Sequence, residues 1–166
     1  MPELAPFLVD HISPELAEII RAAPVPSLGA GPQDKRLLKW LAEVDSVRKS
    51  LSIEAKSALY LLAGDLDASH TISQSLDTPD GSLLHAIMHR REGDFSNAKY
   101  WLRRASDHAA LRQLKTTAYG DAIAFVDRCA AALGTGSEQE RELERSQWIE
   151  WQTIYGQFAS EPGSLG

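Results

Sequence analysis

Cysteine occurs once in the chain, at position 129, so no intrachain disulfide can staple the fold, and such usage fits a reducing compartment. Long apolar runs are missing too. The longest, ALYLLAG (58–64), falls far short of the ~18 residues a membrane-spanning helix needs. Positive charge is not in excess: 17 Lys and Arg face 23 Asp and Glu, a net of −6, which counts against nucleic-acid binding, where a basic domain is expected. The opening MPELAPFLVD lacks a basic stretch followed by an apolar one, so no signal peptide is expected. Two-residue alternation of apolar and polar positions is absent, which removes the usual mark of a half-buried strand. There is no Gly-x-Ser-x-Gly elbow and no kinase or dinucleotide signature, and LGAGP (28–32) lacks the Lys and hydroxyl residue of a phosphate-binding loop. What remains is the expectation of one soluble, cytoplasmic, globular domain over 1–166, with 43% apolar and 24% charged residues.

Helical periodicity fills most of the chain. Ser13, Pro14 and Glu15 supply a capping hydroxyl, a first-turn proline and a carboxylate at the positive end of a helix dipole, with Leu16, Ile19 and Ile20 on one stripe behind them. APVPSLGAGPQD (23–34) holds three prolines and two glycines and must be a loop. Asp34 can cap a helix lined by Leu37, Leu38, Leu41 and Val44 beside Trp40. Ser52 starts another, which runs through Leu59, Tyr60 and Leu62 to Gly64. Asp65 restarts the chain with Leu66, Ile72 and Leu76 as expected buried positions. A helix near 79–92 carries the stripe Leu84, Ile87 and Met88. Asp94 then caps one with Ala98, Trp101, Leu102 and Ala105 on a face. Segments at Leu111–Tyr119 and Asp121–Leu133 follow, the latter with Ile123, Val126, Ala130 and Leu133 expected inward. GTGS (134–137) reads as a linker before a last helix, first acidic and then aromatic through Trp148, Trp151, Ile154, Tyr155 and Phe158; 159–166 reads as a frayed tail. The sum is an all-α domain of roughly seven to nine helices, built as stacked hairpins or a bundle.

Two Gly-Asp turns, Gly64-Asp65-Leu66 and Gly93-Asp94-Phe95, each join one amphipathic helix directly to the next. The stretch GDFSNAKYWLRRA (93–105), with Ala98, Leu102 and Ala105 as small, large and small residues, resembles the interhelical turn of a tetratricopeptide repeat. Three features depart from that family. The turns lie 29 positions apart rather than the family's ~34, Ser69 stands for the small alanine, and His85 and His89 occupy apolar packing positions. The resemblance implies helix pairing and no activity. HAIMHRREGDFSNAKYW (85–101), together with Glu150 and Trp151, is also similar to a group of small microbial and fungal proteins, which implies a soluble helical domain and leaves its chemistry blank.

His85, His89 and Glu92 stand at i, i+4 and i+7 of one helix, and at ~100° per residue their directions share a narrow sector. Two imidazoles one turn apart can hold one divalent metal such as zinc. Glu92 can be a third ligand, a partner fixing a histidine tautomer, or a catalytic general base. His70, on the preceding helix, completes a three-histidine metal set (His70, His85, His89) if the two helices pack antiparallel. The plainer reading, which weighs more, is that these are partly buried histidines hydrogen-bonded to neighbours.

Charge reverses locally. Arg90, Arg91, Lys99, Arg103 and Arg104 outnumber Glu92, Asp94 and Asp107, leaving 12 cations against 20 anions elsewhere. Arg90, Arg103 and Arg104 with His85, His89, Asn97 and Tyr100 form a candidate binding patch for a small anionic ligand. The alternative is that the arginines pair with the acidic 138–150 stretch or sit in water. Two functional readings follow. The first is a helical binding or scaffold domain for a peptide or protein, with structural histidines. The alternative is a small metal-dependent or acid–base enzyme, with Glu92 as base and an anionic substrate.

Overall fold

The computed structural model describes residues 3–47 and 51–159, and all of the regular structure there is helical. The elements are α1 (Pro6–Val9), α2 (Pro14–Ala22), α3 (Lys35–Val47), α4 (Ile53–Ala63), α5 (Leu66–Ser73), α6 (Pro79–Glu92), α7 (Phe95–Arg104), α8 (Ala109–Leu114), α9 (Ala122–Ala132) and α10 (Glu138–Ala159). The count of ten exceeds the expected one because α1, a single turn entered through Pro6, has no periodicity to announce it. The tail beyond 159 lies outside the described residues.

Helix starts follow local chemistry. Ser13, Ser52, Asp65, Thr78, Asp94 and Asp121 each accept a backbone N–H three residues on. The Gly-Asp turns are built alike: Gly64 (φ 81°) and Gly93 (φ 91°) sit in the left-handed region, and the Asp amide reaches back to Tyr60 O and His89 O. An L-side chain at either glycine meets a strained backbone.

Helices α4 and α5 form one hairpin and α6 and α7 a second; α5 packs on α6, and α10 crosses α4, α8 and α9. Buried Ser57 and Ser69 replace bulk at the α4–α5 contact, their hydroxyls 3.0 Å apart, with Ser57 also donating to Ser69 O at 3.1 Å. That close approach corrects the expectation for α5. Ser69 and Ser73 are buried, whereas Leu66, Ile72 and Leu76 are only half-buried. The stripe of α9 is also rotated: Phe125, Val126, Cys129 and Ala132 face inward, and Ala130 and Leu133 face out. Phe125 decides that rotation by stacking on Tyr119 at 4.2 Å between ring centres. The helix expected over Leu111–Tyr119 begins earlier, where His108 Nδ1 caps Ala110 N–H. It stops at Leu114, whose carbonyl accepts both the amide and hydroxyl of Thr117. The last helix buries its aromatics as expected, with Trp151 Nε1 donating to Ala58 O at 2.8 Å.

From Gly81 to Arg91 every residue of α6 is buried. Arg90, 2% exposed, enters the core and meets Glu150, 1% exposed, in a two-pronged ion pair at 2.6 and 2.8 Å. Gln147 accepts from the same guanidinium at 3.1 Å and donates to Pro26 O and Ser27 O, tying the Pro/Gly loop to α10. Burial alone lowers a guanidinium's pKa, but the attraction and hydrogen bonds of Glu150 outweigh it and hold Arg90 above its ordinary value. Removing only the carboxylate strands a buried cation, so E150L should lower the unfolding free energy by about 3–5 kcal/mol. The double variant R90M/E150L should recover much of that loss. Urea unfolding of the three proteins checks the ordering.

Candidate metal centre

The hairpin geometry brings His70 of α5 beside His85 and His89 of α6. Ring centres are 4.7 Å apart for His70–His85, 5.4 Å for His70–His89 and 4.7 Å for His85–His89. One ligating nitrogen from each ring lies within 4.8 Å of the other two. His85 and His89 are buried and His70 half-buried, so the cluster has a closed inner side and an outer side at His70. Trp101 of α7 closes the inner side, stacking on His85 at 4.1 Å with an interplanar angle of 20°.

Hydrogen bonds fix the form of His89. As the Asn97 amide is oriented, its Nδ2 donates to His89 Nε2 at 3.2 Å, which leaves the ring proton on Nδ1. That Nδ1–H points at Glu92 Oε1, 2.6 Å away. A carboxylate behind an imidazole in this way orients the ring and fixes its tautomer. Glu92, with a side chain 42% exposed, therefore acts on His89. His89, Glu92 and Asp94 form a second close set of donors, but Asp94 Oδ1 is engaged by the Asn97 amide N–H as the cap of α7.

His85 is the unpaired member: its Nδ1 is buried and has no hydrogen-bond partner. Burial, followed by repulsion from His89 and His70, draws its pKa down from 6.5 to about 4. At neutral pH the ring keeps free lone-pair capacity, and a metal need displace no proton from it.

The other expected site residues divide. Asn97 belongs to the cluster. Tyr100 and Arg104 lie on the outer flank of Trp101, with the Arg104 guanidinium 5.4 Å from the indole centre and 5.9 Å from the Tyr100 ring. Arg103 is exposed and lines a separate surface hollow with Asp107, Arg112 and Asp121. Arg90 points away to Glu150. The structure thus gathers His70, His85, His89, Glu92 and Asn97, and leaves Arg90 and Arg103 apart. Sequence reasoning assigned Trp101 to the core and missed its contact with His85. The signal was there, because position 101 lies on the α7 stripe that faces α6.

No protein-family model matches the chain, and neither does a curated protein or a solved structure.

The depressed His85 pKa sets a pH dependence. The unfolded chain takes up a proton at this residue near pH 6.5 and the metal-free folded chain only near 4, so the unfolded state binds more protons between them. Stability should fall as pH drops through that window and level off below it. H85F keeps a ring against Trp101 and should flatten this part of the profile, measured by denaturant unfolding at pH steps from 7.5 to 4.

Proposed function

We propose that the chain is a helical metal-binding domain that takes one zinc-class divalent ion on His70, His85 and His89, with Glu92 holding His89 in its ligating form. The observation that carries the reading is the triad itself: three imidazole nitrogens within 4.8 Å, one of the rings buried with an unsatisfied nitrogen. Zinc–nitrogen bonds of ~2.0–2.1 Å in a tetrahedron require nitrogens roughly 3.3 Å apart, so loading asks for side-chain shifts on the order of 1 Å. Because His85 and His89 lie within 21° of parallel, one must turn about χ2 for the lone pairs to converge. Asn97 must release His89 Nε2 in the same step. Three histidines leave a fourth position, which the half-buried His70 side opens to water or an anionic ligand. The tetratricopeptide-like pairing of α4–α5 and α6–α7 belongs to this reading as the frame that holds α5 and α6 together, supported by their matching Gly-Asp turns.

One observation favours the structural alternative. Asn97 and Glu92 already satisfy both nitrogens of His89, as in a polar helix junction with no ligand. A zinc titration of chelator-stripped protein against a chromophoric competitor separates the two. One equivalent should bind, H85A should weaken binding at least 100-fold with its helical circular dichroism retained, and E92Q should weaken it about 10–100-fold. Stoichiometric binding that survives H85A unchanged, or no binding at all, overturns the metal reading and leaves the histidines as packing groups.

A further inference from the structure

At ~100° per residue, Arg91 leaves α6 about 200° from His89, on the side opposite the imidazoles. Its side chain crosses to the Pro/Gly loop and is 5% exposed. The guanidinium donates to Gly29 O and Ala30 O, each at 3.2 Å, and to Leu61 O. These acceptors are neutral. The nearest buried carboxylate, Glu150, is engaged in both prongs by Arg90. Two interior guanidiniums therefore share one interior carboxylate, and one positive charge stays uncompensated. An arrangement of that kind is expensive unless a counter-charge arrives. Arginine has five N–H donors; the described residues take three, which leaves two.

Arg91 also lines a cavity of about 570 Å³ between the end of α2, the loop 23–34 and the start of α3. That volume falls within the ~300–1,000 Å³ of small-molecule sites. Its walls are largely apolar, with Ile19, Val25, Pro26 and Leu62 among them. Lys35 and Arg36 add positive charge at the mouth, where Arg36 lies 3.5 Å from the exposed Glu18. Asp34 is the one carboxylate of the lining, and its Oδ1 is turned to the backbone N–H groups of Arg36 and Leu37 as the cap of α3. Burial, then repulsion from Arg90, pulls the Arg91 pKa down to about 10 against the attraction of Glu150, so the group is still charged at neutral pH.

We propose that this cavity binds a small monocarboxylate with a hydrocarbon body, its head group completing the charge of Arg91 and its chain lying against Val25, Pro26 and Leu62. One buried, uncompensated cation above apolar walls suits a monovalent head better than a dianionic phosphate, whose second charge would reach only the exposed Lys35 and Arg36, the latter already beside Glu18. The site is separate from the histidine cluster, and either can fail without the other.

The test is titration of the full chain with sodium octanoate, with 1-octanol, octylammonium and inorganic phosphate as comparisons, followed by methyl chemical shifts and calorimetry. Octanoate should saturate one site, moving the methyl signals of Ile19, Val25 and Leu62, and should bind at least tenfold more tightly than octanol or octylammonium. Arg91→Lys should weaken it tenfold or more. Ala22→Trp, which fills the cavity from an exposed wall position without touching Arg91, should abolish the shifts while leaving the melting profile in place. Octanol binding as well as octanoate, shifts centred elsewhere, or phosphate binding more tightly than octanoate would each overturn the proposal. The methyl map of the unsubstituted protein decides the matter even if a variant fails to fold.

Discussion

Helix α6 has no solvent face between Gly81 and Arg91, yet that stretch carries two histidines and two arginines. Each polar side chain on it must find a partner inside the protein, and the neighbours are arranged to supply one. Arg90 is met by Glu150 and Gln147 from α10, Arg91 by backbone carbonyls of the loop and α4, and His89 by Glu92 and Asn97. On this helix His85 Nδ1 and Arg90 Nε are buried without a hydrogen-bond partner. Four buried ionisable side chains, His85, His89, Arg90 and Arg91, therefore sit on one element that is enclosed from Gly81 to Arg91.

The three polar directions on α6 do different work. The imidazoles face α5 and α7, where Trp101 stacks on His85 and burial draws the His85 pKa down. Arg90 faces α9 and α10 and lies 4.8 Å from the Phe125 ring centre, so the long helix is anchored by charge as well as by its aromatics. Arg91 faces the Pro/Gly loop and substitutes for regular hydrogen bonding there, giving partners to carbonyls that no helix or sheet would satisfy. Buried Cys129 takes no part in this chemistry: its thiol is pushed up to about 11 by burial, with Arg90 pulling the other way.

Much of this was legible in the residues, and for identifiable reasons. Helix starts were readable because Ser, Thr and Asp caps act within three residues. The breaks at Gly64 and Gly93 were readable because each requires positive φ. The histidine cluster was visible as a spacing on α6, and His70 joined it because a short connection forces neighbouring helices to run antiparallel. What escaped depended on partners distant in sequence. Whether Arg90 looks outward or into the core is decided by Glu150, 60 residues on, and the role of Arg91 by carbonyls about as far back. The α5 and α9 faces were misjudged because small residues, Ser57 and Ser69, and one aromatic, Phe125, set the helix rotation more than the largest aliphatic residues did.

The ends of the described chain are fastened to each other. Ala5 N–H donates to Gln152 at 2.6 Å, and Trp148 Nε1 donates to Glu3 O at 3.0 Å, across a separation of some 145 residues. A ribosome releases the first of these residues long before the last. Until α10 emerges, Arg90 has no counter-ion, the amino-terminal segment has nothing to clasp, and Ala58 lacks the indole that later covers it. The nascent hairpins can form in order of synthesis, but the two described ends are clasped only once α10 has been made.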